Sequence, residues 1–192
     1  MRYSLMWPRY AKWWDRMKIN PSREIEFDRL AENLFANRER YGAIEAKSGV
    51  PWPLIAVLHL RESSCDFGTY LGNGQSLKRK TTIVPRGRGP FASFKEGALD
   101  ALRIDGLSAV QDWRLEKMLF FAEAFNGGGY ALRGLPSPYV WGGTNIQQPG
   151  KFVSDGKFNP RVMDTQPGCA PILATLFALM NQPDAEFLKR ES

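Results

Sequence analysis

One change of texture constrains this chain more than any other feature. A proline-opened apolar helical segment, PWPLIAVLHLRES (51–63), runs directly into a glycine- and proline-rich stretch, DFGTYLGNGQSLKRKTTIVPRGRGPFA (66–92), and helical patterning resumes beyond it. Pro51 and Pro53 suit the first turn of a helix, where a missing N–H costs nothing. LGNGQ and VPRGRGP are turn signals around the β-formers Thr81, Thr82, Ile83 and Val84, which predicts a small hairpin or irregular β-lobe. Helices, a small β-lobe, then helices again describe one mostly helical α+β domain.

The flanking segments support that order. Phe27, Leu30, Ala31, Leu34, Phe35, Arg38 and Tyr41 form one stripe at helical spacing from Ser22 onward. A short helix over 43–48 should end at Gly49 in the left-handed conformation. Further helices are predicted over 93–107, from a cap at Asp112 to the glycine triplet 127–129, and over 170–180 as a buried core helix too short to span a bilayer. Between the last two lies a long loop region with a hairpin at Phe152 to Phe158, turning on Asp155-Gly156. The first 21 residues form an aromatic, basic lead-in to a domain over 22–192. Met6, Tyr10, Trp13, Trp14 and Met17 fall near helical spacing there, for packing against the domain or for contact with a membrane surface.

Charge narrows the partners. A net charge of +6 over 192 residues favours anionic ones. Apart from Lys78-Arg79-Lys80 and the Arg86/Arg88 pair, the cations are too dispersed for a nucleic-acid arm, so no nucleic acid is expected. Two cysteines, Cys65 and Cys169, make no disulfide framework; free thiols are favoured over one bridge formed after export. The N-terminus lacks the apolar core of a secretory signal.

The chemistry concentrates on the apolar helix. Ile55, Leu58, His59 and Glu62 share one face, so Glu62 is a carboxyl group on an apolar stripe at a helix C-terminus. Desolvation and the negative end of the helix dipole both oppose its ionisation. A carboxyl kept protonated near neutral pH is what acid-catalysed glycoside cleavage requires; the structural alternative is a buried glutamate paired with Arg61 or a lobe arginine. His59, the single histidine, has no second ligand at metal spacing and is read as packing, so no metal or cofactor is expected. A nucleophilic Cys65–His59 pair lacks any supporting motif.

The run YGAIEAKSGVPWPLIAVLHLRES (41–63), with its Glu62-Ser63 pair, resembles the catalytic-helix segment of lytic transglycosylases and goose-type lysozymes. AEAFNGGGY (122–130) is similar to the helix-ending Ala-Tyr-Asn-x-Gly element of those families, with Phe125 at the aromatic position and Asn126 at the asparagine. The longer pattern through SPYVWGGTN also resembles phage-type members of the lysozyme-like superfamily, and the resemblance covers roughly residues 41–158. The Gly-Leu-Met-Gln element of lytic transglycosylases is absent.

The resemblance implies a lysozyme-like domain that binds peptidoglycan glycan strands between the helical body and the lobe. Glu62 would be the general acid and Asp66 a candidate second carboxylate. Tyr70, Phe125, Asn126, Tyr130, Tyr139 and Trp141 would be candidate sugar-binding residues, with Tyr139 and Trp141 expected to be exposed on a loop. Hydrolysis is favoured over closure of an anhydro ring, and the rival is a lysozyme-like module that holds glycan without cutting it. The basic lobe would attract anionic wall polymer or a membrane surface. The implied setting is a monomeric endolysin made in the cytoplasm without a signal peptide and released to the cell wall by a holin-type pore.

Overall fold

The aromatic N-terminal segment forms helix α1 (Tyr3–Arg16) and packs against the domain, the first of its two expected roles. Its Tyr10 is fully buried, stacks on Trp141 at 6.5 Å between ring centroids, and donates its hydroxyl to Glu123 Oε2 at 2.5 Å. Burial of these rings joins α1 to α6 (Leu115–Phe125) in the common core. The structure is a computed structural model that describes residues 2–154 and 156–181. Over those residues it is a single compact domain, mostly helical, with one two-stranded antiparallel sheet.

The predicted stripe from Ser22 to Tyr41 is broken. Helix α2 (Glu24–Ala36) stops at Asn37, whose side-chain amide donates to the Asn33 carbonyl, and α3 (Arg38–Ser48) starts afresh. An asparagine side chain competing for backbone groups is a common cause of such breaks. Phe27, Ala31 and Leu34 still face the core from α2, and Tyr41 does so from α3. Gly49 closes α3 in the left-handed region at φ +70°, as its position predicts.

Helix α4 (Trp52–Ser63) opens at the expected prolines and buries every residue from Pro53 to His59. It ends without glycine. Ser64 and Cys65 take φ +52° and +63°, and their N–H groups return to the carbonyls of Leu60 and His59. Two successive left-handed non-glycine residues cost energy that the surrounding packing must offset. Helix α5 (Phe94–Ile104) is capped by the Ser93 hydroxyl, which accepts from Glu96 N–H. Helix α6 is preceded by Arg114; Asp112 does not cap it and instead pairs with Arg114 and Lys117.

The lobe of residues 66–92 carries no strand, a correction to the expected β-lobe; its β-structure is an isolated bridge between Thr69 and Ser76. The N–H groups of Thr82 and Ile83 donate to Gln75 Oε1 rather than to a neighbouring strand, so the β-forming run is held as coil. The sheet lies where the second hairpin is predicted: β1 (Lys151–Ser154) pairs antiparallel with β2 (Lys157–Asn159), Phe152 opposite Phe158. Asp155 lies outside the described residues, and Gly156 adopts φ +70°. A short α7 (Pro138–Trp141) and the apolar α8 (Cys169–Met180) complete the fold. Among the described residues no helix is long and apolar enough to cross a membrane.

Candidate active site

Glu62 stands in the last turn of α4, half-buried, where the lobe closes on the helix end. The approach is tight: a Cβ on Gly74, itself at φ +70°, would come within 2.8 Å of the Glu62 carbonyl oxygen. From the other side Tyr139, only 4% exposed, donates its hydroxyl to Glu62 Oε1 at 2.8 Å. The carboxyl group is held above the usual glutamate range. Burial is the main cause and the charge of Asp105 adds to it, against the Tyr139 hydrogen bond and the charge of Arg61, which favour ionisation.

Arg61 does not form the ion pair with Glu62 that a structural role would predict. Its guanidinium donates to the Pro167 carbonyl at 2.8 Å and to Gln166 Oε1 at 3.0 Å, and it lies 4.5 Å from the Tyr139 ring centroid. That cation–π contact fixes the tyrosine ring whose hydroxyl holds Glu62. Burial pushes the thiol of Cys169, close enough to feel the Glu62 charge, up to about 12, so it stays protonated. Cys65 and Cys169 are free thiols in the structure, as expected.

His59 is fully buried and packs against Phe67 and Phe94. Its Nε2 faces the Asp66 carbonyl at 3.1 Å and its Nδ1 faces the Tyr41 hydroxyl at 3.0 Å. A carbonyl can only accept, so Nε2 donates and Nδ1 accepts from Tyr41. Burial lowers its pKa to about 4, so it is neutral at pH 7 and acts as packing with satisfied hydrogen bonds. Among the described residues no group of His, Cys, Asp and Glu could hold a metal ion.

The sequence-derived candidates separate into two sets. A cavity of about 470 Å³ beside Glu62's partner Tyr139 is lined by Asn126, Gly129, Tyr130, Tyr139 and strand β1, a size typical of small-ligand sites. Asn126, exposed at the end of α6, and Tyr130, whose hydroxyl accepts from Phe152 N–H at 3.1 Å, therefore meet across one cleft. Trp141, Tyr70 and Phe125 are placed otherwise. Trp141 is fully buried against Tyr10 and Trp13, and Tyr139 is buried too, so neither stands exposed on a loop as expected. Tyr70 is also fully buried, stacked on Phe91 with its hydroxyl on Asp100, and offers no face to a sugar. Phe125 is half-buried against the core.

Asp66 lies beyond the helix end, so the one-turn relation to Glu62 does not hold. It is exposed, and its Oδ1 accepts from Gly68 N–H at 2.8 Å within its own turn. Sequence reasoning missed the polar side of the cleft. Asp164, paired with Lys151 at 3.2 Å, lines the cavity together with Arg61 and Gln166. Asp105, at the end of α5, is the other carboxylate whose charge reaches Glu62. The sequence carries no local signal for either, because both reach the site through contacts far apart along the chain.

No family model, curated protein or solved structure matches this chain.

Proposed function

We propose that the protein cleaves the glycan strands of peptidoglycan at the β-1,4 bond between N-acetylmuramic acid and N-acetylglucosamine, with Glu62 as the general acid. One observation carries the reading: a half-buried carboxyl, raised in pKa by burial, accepts at 2.8 Å from the hydroxyl of a buried tyrosine, Tyr139, that lines the neighbouring cavity. Breaking a glycosidic bond requires a proton on the leaving oxygen as the C–O bond opens, and a carboxyl kept neutral by its surroundings supplies it. Asn126 and Tyr130 would bind the sugar, while Arg61 and Lys151 on the cleft wall suit the carboxylates that peptidoglycan carries. Tyr139 orients the acid rather than stacking on the sugar.

In the primary reading water completes hydrolysis. A second reading, closure of a 1,6-anhydro ring by the sugar's own hydroxyl, is favoured by the placement of Asp66, whose carboxylate is engaged by its own turn.

Digestion of purified sacculi by the wild type and by Glu62→Gln tests the proposal. Released muropeptides from the wild type and a loss of at least ~100-fold in the variant are expected; equal rates would remove Glu62 from the reaction. Mass spectrometry of the products separates the two chemistries, since an anhydro product is lighter by one water. A folded wild type that releases nothing would leave a glycan-binding module.

A further inference from the structure

The tip of the lobe is more ordered than its composition suggests. Thr81 N–H donates to the Arg88 carbonyl at 2.9 Å, Gly87 N–H to the Thr81 carbonyl at 2.8 Å, and Arg88 N–H to Thr81 Oγ1 at 3.0 Å, which closes residues 81–88 into a loop. Within it the N–H groups of Thr82 and Ile83 donate to Gln75 Oε1 at 2.7 and 3.2 Å. Asn73 Nδ2 donates to the carbonyls of Ile83 and Val84 at 3.3 and 3.4 Å. This clamped backbone nevertheless holds Ile83 and Val84 in water, 52% and 79% exposed. Fixing two branched aliphatic side chains in solvent forgoes the burial that would stabilise the chain.

Beside them lies a cavity of about 400 Å³ lined by Gln75, Ser76, Thr82 and the three cations Lys78, Arg79 and Lys80. All three are exposed, and among the described residues no acidic group pairs with them. Arg88, by contrast, is taken up by Asp100. An apolar tip bordered by free cations and hydroxyls matches a surface with phosphodiesters outside and hydrocarbon beneath. A wall polymer would engage the cations and leave Ile83 and Val84 wet; the aliphatic pair decides between the two.

We propose that residues 78–84 form a docking site for anionic phospholipid bilayers, with Lys78, Arg79 and Lys80 on the phosphates and Ile83 and Val84 in the acyl boundary. The site is independent of what the cleft cuts, because binding is read without any cleavage. Co-sedimentation with phosphatidylcholine vesicles, with and without phosphatidylglycerol, is the experiment. The wild type should partition onto the anionic vesicles and be released by salt. Each cation near such a surface contributes roughly fivefold, so Lys78→Gln/Arg79→Gln/Lys80→Gln should lose on the order of 100-fold. Ile83→Ser/Val84→Ser should lose about tenfold with the charges intact, and Lys78→Arg/Lys80→Arg should bind as the wild type. Unchanged melting checks that each variant is folded. Equal partition onto neutral and anionic vesicles, wild-type binding by the serine variant, or retention on sacculi without vesicle binding would each overturn the proposal.

Discussion

Removing the Tyr139 hydroxyl probes the site more finely than removing Glu62 itself, because Tyr139→Phe deletes one atom and leaves the acid in place. The hydroxyl donates to Glu62 Oε1 at 2.8 Å and favours the carboxylate against the burial that disfavours it. Without it burial is less opposed, and Glu62 stays protonated to higher pH. An acid catalyst loses activity as pH rises through its pKa, so the alkaline limb of the rate profile should move upward. The stability change has a separate origin. A hydrogen bond to an ionised group contributes ~1.5–3 kcal/mol net, and water can replace the lost donor at a half-buried carboxyl, which places the cost near ~1.5 kcal/mol. The ring remains, and Arg61 keeps its contact at 4.5 Å. At ~2–4 °C per kcal/mol for a chain of this size, melting should fall by about 3–6 °C at a pH high enough to ionise Glu62. The fall should be smaller in acid, where both partners are neutral. Initial rates of sacculus solubilisation across pH, with melts on the same samples, read both effects. An alkaline limb that stays put or moves down while melting falls would mean that Tyr139 only packs and Glu62 is not the acid.

Three further outcomes follow from the same contacts. Glu62→Gln should lose its activity yet melt at or above the wild type at pH 7. The native state binds its proton more tightly than the unfolded chain, so stability falls as pH rises above the unfolded value of about 4.3 toward the raised native one, and glutamine escapes that loss. Glu123, 1% exposed and raised chiefly by burial, should act in the same direction, so Glu123→Gln should flatten the decline of stability between acid and neutral pH in calorimetric scans; an unchanged slope would sink the assignment. Gly168→Ala would place a Cβ 2.3 Å from the Gly142 backbone nitrogen, and denaturant unfolding should report a loss of about 3 kcal/mol; a variant as stable as the wild type would contradict that packing.

Local signals were legible where the deciding interactions are local. The prolines that open α4, the left-handed glycine that closes α3 and the Phe152–Phe158 hairpin each depend on neighbours within a few residues, and each is present. The lobe misled because the long-range partner of its β-formers is a side chain, Gln75, which no alternation of residue types reveals. SPYVWGGTN reads as exposed loop from its glycines, yet Tyr10 and Trp13, more than a hundred positions earlier, cover Trp141. The apolar face beside Glu62 was legible from its own helix, whereas Tyr139, which holds the carboxyl, and Arg61, Lys151 and Asp164 at the cleft come together only through tertiary packing.

The contact between Gly142 and Gly168 has a consequence for the order in which the protein matures. Gly168 N–H donates to the Gly142 carbonyl at 2.9 Å, and α8 begins at the next residue. Tyr139, which holds Glu62, lies just before that junction, and Arg61 reaches it by donating to the Pro167 carbonyl. A chain leaving the ribosome with its first 140 residues therefore already contains Glu62 and Tyr139 but not Gln166 and Pro167, which hold Arg61 against the tyrosine ring. Domains fold as units, and this one lacks its closing strap until α8 has emerged. Copies that stop before α8 would therefore carry Glu62 and Tyr139 without the packing that the proposed acid requires.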